Sequence, residues 1–277
     1  MAEPGFFTTK VVVIGGRGRM GAWWARALRL AGCEVLIADA RDGAITPDMV
    51  AECPVVVLAV PVSRVEEVMR HIGPHTRDDG LVMDICSLKE APLSSMLAHA
   101  QGEVVGAHPL FGPTAEGLDG QLVFVCPGRG ERWTRWVQVF LQDRGARVVE
   151  MDPARHDRLM AQVQSLRHLW LVCLGRALTR LGYDPQRDLA FSGPWFNDLI
   201  DMLTHQCRQP GELYCELATH NPAVPQAAEA LRQAAGEVLG SLAQGGVEEL
   251  ADLFNQTAMA FCGPSEHFSL DRDGGLR

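Results

Sequence analysis

Three glycines and one carboxylate are the first residues in this chain whose spacing implies chemistry. Val11-Val12-Val13-Ile14 runs into Gly15-Gly16-Arg17-Gly18-Arg19-Met20-Gly21, and Asp39 lies 23 residues after Gly16. A β-branched strand, a Gly-x-Gly-x-x-Gly turn and then a helix is the arrangement that cradles a dinucleotide. Gly16 is expected at the tight turn, Gly18 where the backbone approaches the pyrophosphate, and Gly21 where the helix packs on the strand. Arg17, Arg19 and Met20 share that turn, and the helix N-terminus offers unpaired amides to the phosphates. Asp39, closing the second expected strand, would accept hydrogen bonds from the adenosine ribose and repel a 2′-phosphate. That favours NAD over NADP, tempered by the nearby Arg17 and Arg41. Val60 and Pro61, just past the third expected strand, complete the candidate cofactor contacts.

Three further stretches carry the candidate substrate chemistry. Asp84-Ile85-Cys86-Ser87-Leu88-Lys89 follows the fourth expected strand, and Gly106-Ala107-His108-Pro109-Leu110-Phe111-Gly112-Pro113 follows the fifth. Carboxyl ends of parallel strands are where open α/β sheets hold their ligands. Gln164-Ser165-Leu166-Arg167-His168 lies on the helix that opens the second half of the chain. Gln164 and His168, four apart, share one face of it. A cleft between the halves would place a nicotinamide on one wall and a substrate on the other. Taken singly, each residue also has a plainer reading: His108 as a loop residue before proline, Ser87 as a turn or cap, His168 as a core histidine.

The elements that must position these residues are legible in the hydrophobic pattern. Strands are expected at Val11 to Ile14, Glu34 to Ala38, Pro54 to Val60, Leu81 to Ile85, Val104 to Ala107, Gln121 to Cys126 and Ala146 to Met151. Helices are expected at Ala22 to Ala31 and Trp133 to Arg144. From Asp152 strand signals vanish. Asp152-Pro153 starts a helix whose apolar residues recur as far as Leu181, where Gly182 stops it. Further helices are expected at Pro194 to Cys207, Glu212 to His220, Pro225 to Ala243 and Val247 to Ala260, with fraying from Gly263. The fold class is therefore α/β: a doubly wound parallel sheet of Rossmann type over residues 1–152, then an all-α domain over 153–277.

Composition narrows the functional classes. Of 277 residues, 47% are hydrophobic and 21% charged, ordinary for a folded globular chain. A formal net charge of −9 argues against nucleic acid or an anionic membrane surface as partner. The eight cysteines include no Cys-x-x-Cys pair, so reduced thiols in a cytoplasmic protein are expected and a metal site is not. No basic segment followed by an apolar core marks a signal peptide at Met1 to Lys10, and no apolar run approaches a membrane span.

The glycine turn, Asp84-x-x-Ser87-x-Lys89 and His108-Pro109-Leu110-Phe111-Gly112-Pro113 together resemble the prephenate dehydrogenase family. The likeness is greatest to the dehydrogenase part of bifunctional chorismate mutase–prephenate dehydrogenases. It continues through His156-Asp157, Gln164-x-Leu166-Arg167-His168, Ser192-x-Pro194 and Leu213-Tyr214. The motifs begin near the start of the sequence, so a monofunctional form is the expectation. The resemblance implies an oxidoreductase of aromatic amino acid biosynthesis. It would oxidatively decarboxylate a cyclohexadiene dicarboxylate, with hydride passing from ring C4 to NAD and loss of carbon dioxide. His108 and Ser87 would be catalytic, His108 taking the proton of the C4 substituent and Ser87 orienting that group or the histidine. An ordinary histidine pKa near 6.5 suits that task. His168, Gln164 and Arg167 would bind substrate carboxylates, and Lys89 would support the loop or the negative charge. A homodimer through the helical domain is also implied.

The resemblance breaks at one place. Where members of the family it resembles carry carboxylate-gripping arginines on the helix after Ser-x-Pro, this chain has Asn197 and His205. Losing a charge-assisted contact of that kind costs about 1.5–3 kcal/mol; Arg208 stands one turn beyond His205. Prephenate, its 4-amino-4-deoxy analogue from antibiotic biosynthesis, and arogenate are therefore all candidate substrates. A β-hydroxyacid dehydrogenase or imine reductase would lack the His-Pro-Leu-Phe-Gly-Pro segment. A non-catalytic NAD sensor would have no use for Ser87, His108 and His168.

Overall fold

In the computed structural model, residues 8–43 and 45–263 are described. The expected fraying after Gly263 lies outside them. Seven strands form one sheet in the order β2-β1-β3-β4-β5-β6-β7. They are β1 (Lys10–Ile14), β2 (Glu34–Ala38), β3 (Val55–Leu58), β4 (Leu81–Asp84), β5 (Glu103–Pro109), β6 (Leu122–Arg129) and β7 (Arg147–Glu150). Val11 to Ile14 and every residue of β3 and β4 are buried. Strands covered by helices on both faces require such unbroken apolar runs. The covering helices are α1 (Arg19–Leu30), the short α2 (Pro47–Ala51), α3 (Val65–Ile72), α4 (Glu90–His99) and α5 (Arg132–Gln142). Trp23, Trp24, Trp136 and Phe140 fill one layer of core; Met69, Ile72, Leu93 and Met96 fill the other.

One pairing departs from the all-parallel expectation. β6 runs antiparallel to β5, setting Phe124 opposite His108, with the register shifted between Val104 and Val105. The strand also runs to Arg129, beyond Cys126. Alternation of apolar residues carries no direction, so strand polarity is settled by where the chain crosses over.

After β7 the chain is helical. Asp152 caps α6 (Pro153–Met160) by accepting from the Arg155 amide at 2.9 Å. The expected single helix is interrupted by a π-helical turn at Ala161–Ser165 before α7 (Leu166–Arg180). Such π turns recur at functional sites, because the extra residue redirects the side chains beyond it. α8 (Pro185–Asp188), α9 (Pro194–Cys207) and α10 (Gly211–His220) follow. By packing, the chain forms one compact unit ending at Val224 and a second beginning at Pro225. The second contains α11 (Val224–Ala243) and α12 (Val247–Cys262). Their residues Leu239, Leu242, Phe254 and Phe261 are exposed. Among the described residues, no helix is long and apolar enough to cross a membrane.

Candidate active site

The dinucleotide turn is built from contacts that exclude side chains. Gly15 takes the left-handed backbone, φ +78°, so the tight turn falls there and not at Gly16. Gly16 packs against Ile37 of β2, and a Cβ there would come within 2.8 Å of its side chain. A Cβ on Gly21 would collide with the Gly15 carbonyl, which is why α1 can lie against the turn only with glycine in that place. Gly18 caps α1 without a side-chain partner, leaving the helix N-terminus open to an anion. Arg17 and Arg19 are exposed beside it; Arg19 Nη1 donates to Gln209 Oε1 at 2.5 Å.

Asp39 is buried at the end of β2 and accepts from the amides of Arg17 (3.1 Å) and Arg41 (3.2 Å). Burial pushes its pKa up. The two amides and the two arginine charges outweigh that and leave it below the ordinary carboxylate range. The turn, the open helix end and a buried carboxylate held below its ordinary pKa at the end of β2 fit a nicotinamide dinucleotide. Val60 packs beside Gly15, and its carbonyl accepts from Cys86 Sγ at 3.5 Å, tying the cofactor edge to the Ser87 loop. Pro61 opens the short turn after it.

His108, His156 and Asp157 form a buried line. His108, on β5, is 2% exposed, and its Nδ1 lies 2.9 Å from Nε2 of His156 on α6. His156 Nδ1 lies 2.8 Å from Asp157 Oδ1. Asp157 also accepts the amides of Lys89 (2.8 Å) and Glu90 (3.0 Å), while Asn221 Nδ2 donates to its carbonyl at 2.8 Å. A carboxylate only accepts, so His156 must donate from Nδ1. Its Nε2 is then the acceptor, His108 donates from Nδ1, and His108 Nε2 is left as the unprotonated nitrogen.

Lys89 takes no part in the cavity wall. It is fully buried, its Nζ bonded to the Asp84 carboxylate and donating to the Ala107 carbonyl at 2.7 Å. Of the two expectations for Lys89, support of the loop or of the substrate's negative charge, the packing fits the first and leaves no substrate contact: the lysine holds the backbone just before His108. A Cβ on Gly106 would meet its Cδ at 3.1 Å, so the strand is glycine where the lysine passes.

A cavity of about 950 Å³ opens over these groups. That is the upper range for small-ligand sites. Ser87, His108, Gln164, Arg167, His168 and His205 line it, as does Met20 from the dinucleotide turn. Arg167 Nη2 donates to His168 Nε2 at 2.8 Å, and the His168 ring meets Tyr214 edge-on at 4.5 Å. Asn197 is not on the wall; its Oδ1 accepts from Ser192 Oγ at 2.5 Å and stays at the start of α9. Arg208, Asp198, Asp201, Gln206 and Tyr214 do line the cavity. Of these, the sequence reading weighed only Arg208 for the site. The signal for Asp201 was available: Asp201, His205 and Arg208 are spaced i, i+4, i+7 on one helix face. Among the described residues, no group of three His, Cys, Asp or Glu is placed to hold a metal ion.

Family models agree with this architecture along most of its length. The prephenate dehydrogenase nucleotide-binding domain matches residues 27–150, and the prephenate dehydrogenase dimerization domain matches residues 152–256. The chain belongs to the prephenate dehydrogenase family. Among similar proteins, the T-protein of Haemophilus influenzae is 29% identical over 259 residues, covering 94% of this chain and 69% of its own length. A probable arogenate/prephenate dehydrogenase of Methanocaldococcus jannaschii is 31% identical over 235 residues, covering 78% of this chain and 53% of its own. A 4-amino-4-deoxyprephenate dehydrogenase of Streptomyces pristinaespiralis is 29% identical over 266 residues, covering 88% of each. In fold, the chain is similar to Aquifex aeolicus prephenate dehydrogenase solved with hydroxyphenyl propionate and NAD+. The TM-score is 0.71 at 21% identity, over 91% of this chain and 97% of that one.

The burial of His108 bears directly on how it would serve as a base. Burial lowers its pKa well below 6.5, the ordinary histidine value, and the neighbouring His156 and Lys89 lower it further. A histidine accepts a proton only while unprotonated, so a depressed pKa extends its working range toward acid. The acid limb of the kcat/KM profile is therefore expected below pH 6.5. A limb centred at or above 6.5 would show that His108 is not the titrating base.

Proposed function

We propose that this chain catalyses the NAD-dependent oxidative decarboxylation of a prephenate-type cyclohexadiene dicarboxylate to the corresponding aromatic acid. With prephenate the product is 4-hydroxyphenylpyruvate. The observation that carries this reading is the line His108–His156–Asp157 ending at a cavity that Ser87 also lines. The bound dinucleotide supplies the acceptor for the hydride that leaves ring C4.

The chain's own residues do the rest. His108 Nε2 accepts the proton of the C4 hydroxyl as the C4–H bond breaks, which supports the developing carbonyl. His156 and Asp157 stabilise the positive charge that His108 then carries, in the manner of a buried carboxylate behind a catalytic imidazole. The Ser87 hydroxyl makes no hydrogen bond among the described residues and is free to orient the C4 oxygen. Once the ring carboxylate has left as carbon dioxide, the electron pair of the broken bond aromatises the ring. His108 then returns its proton to the phenolic oxygen. Arg167 and His168 take a substrate carboxylate.

A second reading keeps the chemistry and changes the substrate to 4-amino-4-deoxyprephenate, giving 4-aminophenylpyruvate. It is favoured by His205, which lines the cavity where an arginine is expected. The test is the appearance of NADH with purified protein, NAD+ and each cyclohexadiene in turn. Turnover of any of them supports the reaction class; silence with prephenate, arogenate and the 4-amino analogue alike sinks it.

We also propose a homodimer formed through the helical part of the chain. Support comes from the match to the family's dimerization domain and from the exposed Leu239, Leu242, Phe254 and Phe261. Light scattering is expected to give twice the 30.2 kDa chain mass; a single-chain mass would end that proposal.

A further inference from the structure

The charged side chains lining the cavity are balanced in a way that suits some of these substrates and not others. They are Arg167, Arg208, Asp198 and Asp201: two guanidiniums against two carboxylates. Prephenate brings two carboxylates and no cation. Asp198 and Asp201 lie one turn apart on α9, and neither is ion-paired among the described residues. A dianion entering this cavity meets two unneutralised carboxylates for its two guanidiniums.

Two buried polar atoms on the same wall independently point to a ligand. His168 is 8% exposed and Gln206 is 5% exposed; both line the cavity, and among the described residues His168 Nδ1 and Gln206 Oε1 have no hydrogen-bond partner. Arg167 donates to His168 Nε2, so His168 Nδ1 carries the hydrogen and is a donor. Gln206 Nε2 donates to the His168 carbonyl at 3.1 Å, which leaves Oε1 as a bare acceptor. Buried polar atoms left unpaired in the protein are costly until something satisfies them. The unmet donor, with Arg167, calls for a carboxylate. The unmet acceptor calls for an N–H donor, and Asp198 and Asp201, which line the same cavity, favour one that is positively charged.

We propose that the cavity selects a cyclohexadiene dicarboxylate bearing one protonated amine over a dianionic keto acid, and that Asp198 and Asp201 are the residues that make the selection. The inference rests on the oxidative decarboxylation proposed above and names the substrate class within it. The amine has two chemical sources: the side chain, as in arogenate, or ring C4, as in 4-amino-4-deoxyprephenate. Both carry net charge −1 where prephenate carries −2.

The test compares kcat/KM for prephenate, arogenate and 4-amino-4-deoxyprephenate with the intact chain and with Asp198→Asn, Asp201→Asn and the double variant. Both positions are exposed on a helix and asparagine is isosteric, so folding is preserved. One amine-bearing substrate is expected to exceed prephenate by at least about tenfold. The double variant is expected to erase that preference by lowering turnover of the amine and raising that of prephenate. Which amine responds identifies the source. Preference for prephenate in the intact chain, or a substrate ratio unmoved by the double variant, overturns the selection while leaving the reaction class standing. Silence with all three overturns the reaction class, and this inference with it.

Discussion

Replacement of His108 by asparagine is expected to lower kcat by about 10²- to 10⁴-fold, the usual contribution of a positioned general base. KM for the dinucleotide should hardly change. Asparagine keeps a hydrogen-bonding group toward His156 but has no nitrogen that accepts a proton at neutral pH. The dinucleotide turn and Asp39 lie on β1, α1 and β2 and do not touch His108, which is why the loss should fall on kcat. Steady-state kinetics with each substrate separately varied will decide it. Fully retained kcat in a folded H108N variant would remove the proton-transfer role. Loss of dinucleotide affinity in step with kcat would indicate collapse of the strand end instead.

The second large effect is expected at Asp157, which touches no substrate. Asp157→Asn replaces either Oδ1, which accepts two donors, or Oδ2, which accepts one, with an amide nitrogen that accepts none. If the amide nitrogen faces His156, that ring must turn its tautomer. His156 Nε2 then carries the hydrogen, His108 Nδ1 becomes the acceptor, and the proton on His108 moves to the nitrogen facing the cavity. A base so protonated cannot accept from the substrate, and a comparable tautomer error behind a catalytic histidine costs about 10⁴ in kcat. If the nitrogen instead faces the Glu90 amide, the start of α4 loses an acceptor at a cost of about 1–3 kcal/mol.

Two measurements separate these outcomes. Circular dichroism and a urea midpoint report on the α4 anchor, and the pH profile reports on the tautomer. A positioning role predicts that the acid limb of kcat/KM moves in D157N. A merely structural role predicts a lower midpoint with the limb unmoved. His156→Gln serves as the companion variant, because it interrupts the line while leaving Asp157 to hold Lys89 and Glu90. It should lose most of the same activity with a smaller loss of stability.

Much of this molecule is readable without coordinates, for reasons that differ by element. β1, β3 and β4 are buried on both faces, and only unbroken apolar runs satisfy that environment, so their residues declare them. The dinucleotide turn is local, since glycine is required where side chains would collide with the turn's own backbone and with β2, and that requirement is written in consecutive residues. Asp152-Pro153 and the Pro194–Cys207 helix were legible because capping and helical periodicity act over a few residues.

What depended on the tertiary structure concerns groups far apart in sequence. Nothing local to His108 says that His156 stands 48 residues on at hydrogen-bond distance, or that Asp157 anchors the amides of Lys89 and Glu90. Lys89 is charged, and its sequence neighbours suggested a substrate contact; only the packing of β4 against β5 encloses it with Asp84. The same holds for strand polarity at β6, for the π turn at Ala161–Ser165, and for the change in texture at residue 152 lying inside a compact unit that continues to Val224. Periodicity reports which face of an element is buried. It does not report what that face is buried against, and the pKa of His108 and the charge balance of the cavity are set by that second fact.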